Sequence, residues 1–207
     1  MDEQVLGAMQ KWPNVPAVYG WLSLSAQGDW LLHSDGGART GQAGEKIANE
    51  QIRHFMNRNY AATAGGEWFF QNGPQRVFVD LACAPYIVRL ADNALHLITH
   101  NELPVTDISQ WLLDEQGRLY MRTEHGAAML AGRDMGPLTS RLQVMSETAG
   151  AEAAGIPLEQ HHLEALQDGG TLQVSLDGAI QFSAPMQKLD SRHIAGTLGF
   201  VREPTAA

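Results

Sequence analysis

Three successive stretches alternate apolar and polar residues on either side of a turn signal, and they constrain the fold more than any other feature. "EWFFQ" and "QRVFVDLA" flank Asn72-Gly73-Pro74; "APYIVRL" and "ALHLITH" flank Asp92-Asn93; "ISQWLLD" and "RLYMRT" flank "EQG". Asn-Gly supplies the positive backbone angles of a tight turn, and Pro74 resumes the chain in an extended conformation. Period-two alternation puts Val77, Val79 and Leu81 on one face of a strand and Phe78 and Asp80 on the other. Consecutive hairpins with turns every 8–12 residues or so predict an antiparallel, meandering and strongly twisted sheet.

The flanking segments add helices. Val5, Leu6 and Met9 repeat at helical spacing in an opening segment that Pro13 and Pro16 end. "VYGWLSLS" and "WLLHS" around "AQGD" read as a further hairpin. "NEQIRHFMNRNY" predicts a helix over about 49–60: Asn49 is a good N-cap, and Glu50 sits at the positive end of the helix dipole. Ala48, Ile52, Phe55 and Met56 share one face of it, with Arg53, Asn57 and Arg58 elsewhere. Past Gly126 the rhythm weakens, and "AAMLAGRDMGPLTSRLQVMSE" predicts one or two short helices. "IPLEQHHLEALQDGG" predicts another, with Pro157 in its first turn and a stop at Gly169-Gly170. "TLQVSLDGAIQFS" predicts a hairpin at about 171–183, and "HIAGTLGFV" a last strand. The expected class is α+β, with antiparallel hairpins and packed helices. A β-rich domain spans 14–134 with its helix at about 49–60, and a smaller mixed α/β part spans 135–204.

At this point the residues carry a resemblance. "I-x-N-x-x-I-x-x-F-x-x-R-N-Y", then "G-x-W-F-F-Q-N-G-P-Q-R-V-x-V-D-L", then "A-P-Y-I-V-R-L" and "T-H" resemble an uncharacterised bacterial family, a domain of unknown function. A second uncharacterised bacterial family places a short helix, an aromatic strand and a "V-x-D-A-P" strand in the same order. The resemblance covers about Val18 to Asp134 and implies small sheets packed beside helices. It brings no activity and no catalytic residue with it.

Charge and cysteine usage narrow the partners. The 207 residues carry a formal net charge of −9, with no run of Lys and Arg, so a phosphate backbone is repelled and nucleic acid is not an expected partner. A single Cys excludes an internal disulfide. No secretory pattern and no stretch near the ~18 apolar residues of a membrane span is visible, so the expectation is a soluble, cytoplasmic protein.

The catalytic patterns are thin. "SDGGARTGQAGEK" lacks the Gly-Lys-Ser/Thr of a phosphate loop and reads as a surface loop. No G-x-S-x-G is present, and Cys83 among Ala82, Ala84 and Pro85 reads as a small buried thiol. His96 and His100 would lie roughly 13 Å apart on one strand, too far for one zinc, with His125 on a neighbouring hairpin. "QHHLE" reads as the exposed side of a helix. Asp80 reads as an ion-pair partner of Arg76 or Arg89.

What remains is aromatic and basic. Trp68, Phe70 and Trp111 make either core or a platform, and Arg76, Arg89 and Arg122 are strand arginines able to clamp an anion in an acidic protein. The functional expectation is a non-catalytic module that binds a small anion or a protein partner through these six residues, without metal or cofactor. Homodimerisation through an exposed strand edge is a further expectation. The alternative is a hydrolase-like enzyme using His and Asp, with or without metal.

Overall fold

The computed structural model describes residues 1–91, 96–145, 155–167, 169–177 and 179–206. The chain divides into two compact units. The first comprises Met1–Pro85 and Gly199–Ala207, the second Tyr86–Leu198.

In the first unit, α1 (Glu3–Lys11) precedes β1 (Val18–Leu24), β2 (Trp30–Leu32) and β3 (Glu45–Lys46). Helix α2 (Glu50–Arg58) and strands β4 (Tyr60–Ala62), β5 (Trp68–Asn72) and β6 (Gln75–Leu81) follow. The six strands form one sheet in the order β3-β2-β1-β6-β5-β4. Both hairpins predicted here are present, β1–β2 and β5–β6, the second closing with Asn72 opposite Gln75 across Gly73 at φ 56°. The join between them was not predicted: β1 and β6 run parallel, with Leu22 beside Val79 and Ser23 beside Asp80. An all-antiparallel meander is therefore corrected to a mixed sheet, because a tight turn signals only the strand next in sequence.

Helix α2 starts as its cap predicts, the Asn49 side chain accepting from the Ile52 N–H at 3.0 Å. Its orientation differs from expectation. Ile52 is exposed and Met56 buried, while Asn57 turns inward to accept from the Trp30 indole N–H at 2.9 Å. The Trp30 indole N–H, buried with its ring, needs an acceptor, and that requirement outweighs the burial of one isoleucine.

The C-terminal residues return to this unit. The Leu81 N–H donates to the Arg202 carbonyl at 2.8 Å and the Val201 N–H to the Gly66 carbonyl at 2.9 Å. Gly66 has φ +81°, and a Cβ there would lie 2.5 Å from the Gly199 carbonyl oxygen. Strain and clash add, so Gly66→Ala is expected to cost about 2–4 kcal/mol. Gly65→Ala, whose Cβ would meet nothing closer than 3.6 Å, is expected to change stability little. Urea unfolding of the two variants checks this, and equal midpoints would contradict the packing.

The second unit begins with β7 (Tyr86–Leu90), β8 (Leu97–Thr99), β9 (Pro104–Val105), β10 (Ile108–Leu113), β11 (Leu119–Thr123) and β12 (Gly126–Leu130). It continues with α3 (Met135–Thr139), β13 (Leu142–Val144), β14 (Ile156–Pro157), α4 (Gln160–Gln167), β15 (Thr171–Leu176), β16 (Ala184–Lys188) and α5 (Ser191–Leu198). The strands make one sheet, ordered β14-β13-β15-β16-β10-β11-β12-β7-β8-β9. Two of its joins are parallel, β10 with β16 and β12 with β7. The β10–β11 hairpin is present as predicted, and β7 pairs antiparallel with β8; the turn expected at Asp92-Asn93 lies outside the described residues.

Four readings of this half are corrected. Of the one or two short helices expected in "AAMLAGRDMGPLTSRLQVMSE", α3 is present, but the opening "AAML" belongs to strand β12, paired on both sides. The partner of β15 is β16, with Val174 opposite Ala184, and residues 180–182 form a short 3-10 turn instead of a returning strand. Pro157 lies in β14, short of α4. The predicted last strand is helix α5: Ser191 and Asp190 provide its start, and Gly199 at φ +79° ends it. No helix of the described residues is long and apolar enough to cross a membrane.

Candidate functional site

Among the six residues singled out from sequence, Trp68, Phe70 and Arg76 belong to the first unit and Arg89, Trp111 and Arg122 to the second. Trp68 and Phe70 are buried, Trp68 tilted against Tyr60 at 4.8 Å and Phe70 edge-on to Phe55 at 5.6 Å. Trp111 is fully buried, its indole N–H donating to the Phe182 carbonyl at 3.2 Å. Arg122 donates to the Thr197 and Leu198 carbonyls at 2.8 and 3.3 Å, and so closes the C-terminus of α5. Arg89 is half-buried on β7, opposite Ile98.

Arg76 is placed differently. It is exposed near the start of β6 and its guanidinium lies over the Phe69 ring, 4.7 Å from the centroid. It lines a cavity of about 450 Å3 formed by Met9, the segment Trp12–Ala17 and the β5–β6 hairpin through Gln71 and Pro74. The Gln75 side chain donates to the Pro16 carbonyl at 3.1 Å, which ties the hairpin to that segment. Trp12 is half exposed, and the Lys11 ammonium sits 4.6 Å from its ring centroid. Neither Lys11 nor Arg76 has a carboxylate partner among the described residues. Gln71 is completely buried; its amide nitrogen donates to the Gly73 carbonyl at 2.9 Å, and its amide oxygen has no hydrogen-bond partner among the described residues.

A second polar cluster in this unit concerns the hydrolytic alternative. Ser23 Oγ and His33 Nε2 are 2.8 Å apart, the distance of a nucleophile from its base. Gly44 packs on this imidazole so closely that a Cβ would lie 2.7 Å from the ring. The other nitrogen, His33 Nδ1, is buried without a hydrogen-bond partner among the described residues, so none of these holds the tautomer as the third group of a triad would. Asp80 is engaged by Arg39 at 2.8 Å, which corrects the expectation of Arg76 or Arg89 as its partner. Burial pushes the Asp80 carboxyl above the usual range, against the opposing pull of Arg39. Arg39 also donates to the Pro204 carbonyl, so the pair anchors the returning C-terminus.

A search against protein families matches residues 1–205 to the family DUF2944, described as "Protein of unknown function (DUF2946)". The chain belongs to this family. The DUF2944 chain has no significant match among curated proteins. It is similar to the crystal structure of a DUF1285 family protein from Silicibacter pomeroyi DSS-3, at 13% identity and a TM-score of 0.47, covering 79% of this chain and 99% of that one. A likeness of that size carries nothing about the fold or function of the DUF2944 chain.

In the second unit of the DUF2944 chain, a cavity of about 650 Å3 is lined by Leu113, Leu119, Leu142, Leu158 and Met186, among others. Its hydroxyls already donate to helix carbonyls, Thr139 to Met135 and Ser140 to Pro137, and Glu159 is the charged residue on its wall. That lining disfavours anions. The imidazoles here do not converge on a metal: β8 ends at Thr99, His100 lies in the turn that follows, and His96 is exposed. No group of three metal-binding side chains occurs among the described residues. His100 and His125 instead rest against the Tyr86 ring at 5.9 and 6.2 Å, and burial pushes the Tyr86 hydroxyl up to about 12.

Sequence reasoning found Arg76 and missed the rest of its cavity. Trp12 sits just past a short helix that Pro13 ends, an aromatic in a position with no core role, and that was the available signal. Gln71 carried none, because a glutamine inside an aromatic strand gives no indication of which hydrogen bonds it will lack.

Proposed function

We propose that this chain is a soluble, cytoplasmic, non-catalytic bacterial module that binds a small anionic molecule in the cavity walled by Trp12, Gln71 and Arg76. The carrying observation is an exposed, uncompensated guanidinium on the rim of a concave site, in a protein of net charge −9. Most cations of so acidic a chain have carboxylates within reach; Arg76 and the neighbouring Lys11 have none among the described residues. Arg76 is held over Phe69, so little of its side-chain freedom is lost on binding. The volume falls within the range of roughly 300–1,000 Å3 in which small ligands are bound.

Titration calorimetry with 3-phenylpropanoate, a carboxylate with a flat apolar tail, tests the reading. Binding is expected to weaken about tenfold or more in Arg76→Gln and to fall with added salt. Equal affinity in the variant would remove the proposal. The hydrolytic reading ranks second and rests on the Ser23–His33 contact. Covalent labelling of Ser23 by a fluorophosphonate would reverse that order.

A further inference from the structure

Granted that the cavity beside Arg76 holds a small anion, as proposed above, its wall defines that ligand more narrowly. The hydrogen-bonding groups there are few. Arg76 offers donors and a positive charge, and the Trp12 indole N–H offers one more donor with no partner among the described residues. Gln71 contributes the opposite. Its amide nitrogen is held by the Gly73 carbonyl, which settles the orientation of the amide and leaves an acceptor, Oε1, buried and without a donor among the described residues. An orphaned buried acceptor is destabilising, and nearly all such groups in native proteins are satisfied by something. The rest of the wall, Met9, Pro13, Val15 and Pro74, is apolar.

We infer that the ligand is a carboxylate that also carries an N–H donor, specifically an α-amino acid with an apolar side chain. Its carboxylate meets Arg76, its ammonium donates to Gln71 Oε1, and its side chain lies along Trp12. The two polar groups of an α-amino acid sit on one carbon, which suits Gln71 and Arg76 as direct partners across β5 and β6. A plain carboxylate satisfies Arg76 and leaves the glutamine orphaned. A plain amine satisfies the glutamine and meets the repulsion of Arg76 and Lys11.

The test compares three probes of one shape by calorimetry on the full chain: L-phenylalanine, 3-phenylpropanoate and 2-phenylethylamine. N-acetyl-L-phenylalanine tells an ammonium from an amide N–H as the donor, and binding as tight as that of phenylalanine would overturn the ammonium assignment. L-phenylalanine is expected to bind at least about tenfold tighter than 3-phenylpropanoate, with the amine weakest, and Gln71→Met is expected to erase the first difference. If 3-phenylpropanoate binds as well as phenylalanine, the inference fails while the anion site stands, and water alone satisfies Gln71. If neither carboxylate binds, the functional proposal fails with it. A preference that survives in Gln71→Met overturns the assignment to Gln71. Should that variant not fold, the comparison on the unaltered protein still decides.

Discussion

Acidifying this protein from pH 6.5 toward pH 4.5 is expected to remove stability at up to about 1.4 kcal/mol per pH unit through His100 alone. Burial lowers this imidazole from 6.5 to about 3. Its Nε2 is shielded from solvent, and its Nδ1 accepts the Ile87 N–H at 3.3 Å, a bond that only the unprotonated nitrogen can take. The folded chain therefore binds fewer protons than the unfolded one. The stability is fully present above 6.5 and drains away as the pH falls through the window down to about 3. Carboxylates held low, Asp2 through Arg58 and Asp190 through Arg192, add their own losses only lower down. Asp80 acts in the opposite sense: its carboxyl is raised, so the stability it contributes is lost as the pH rises through that raised value. The upper part of the window thus reports on the histidine. Urea midpoints at half-unit intervals, in the wild type and in His100→Asn, check the claim. The asparagine keeps an acceptor for Ile87 and does not titrate, so its profile is expected to lack the fall contributed by His100 and to be much flatter than the wild type between pH 6.5 and 4.5. A wild-type profile equally flat would refute the burial of the nitrogen.

Trp111→Ala is expected to cost about 3–5 kcal/mol. Trp111 is completely buried in β10, between β11 and the parallel strand β16, with Met121 and Met186 as its register partners. Truncation opens a cavity there and strands the Phe182 carbonyl, which loses the indole N–H. Trp111→Phe keeps most of the packing and is expected to cost less than half as much. Chemical unfolding distinguishes the roles that the sequence left open. If Trp111 were a platform for a ligand, the alanine variant would retain its stability and lose binding. As a core residue it loses stability, and 3-phenylpropanoate binding that depends on Arg76 persists wherever the variant remains folded.

Much of the fold was legible because its signals are local. The Asn49 cap, Gly73 in the β5–β6 turn and the "EQG" turn between β10 and β11 each act within a few residues. Helix α5 shows how such a signal is lost. Ile194, Thr197 and Leu198 resemble strand residues, and they mask Asp190, Ser191 and Gly199, which are helix start and stop residues. The Ser191 hydroxyl and N–H both donate to the Glu115 carboxylate, at 2.7 and 2.8 Å, a long-range contact that secures the helix start. The candidate site was legible only as one arginine.

The sequence by itself determined the β1–β2, β5–β6 and β10–β11 hairpins, the capped helix, the acidic balance and the lone thiol, since turn chemistry, capping and net charge need no distant partner. Tertiary structure alone decided that β1 lies parallel to β6, that Arg39 rather than Arg76 answers Asp80, and that Trp111 and Arg122 serve cohesion. It also placed Gln71 and Trp12 in the wall of one cavity and left the glutamine's acceptor without a partner among the described residues. Pairings of that kind join residues dozens of positions apart, and their outcome depends on which buried polar groups can be satisfied at once, a condition imposed by the assembled unit and by no short stretch of chain.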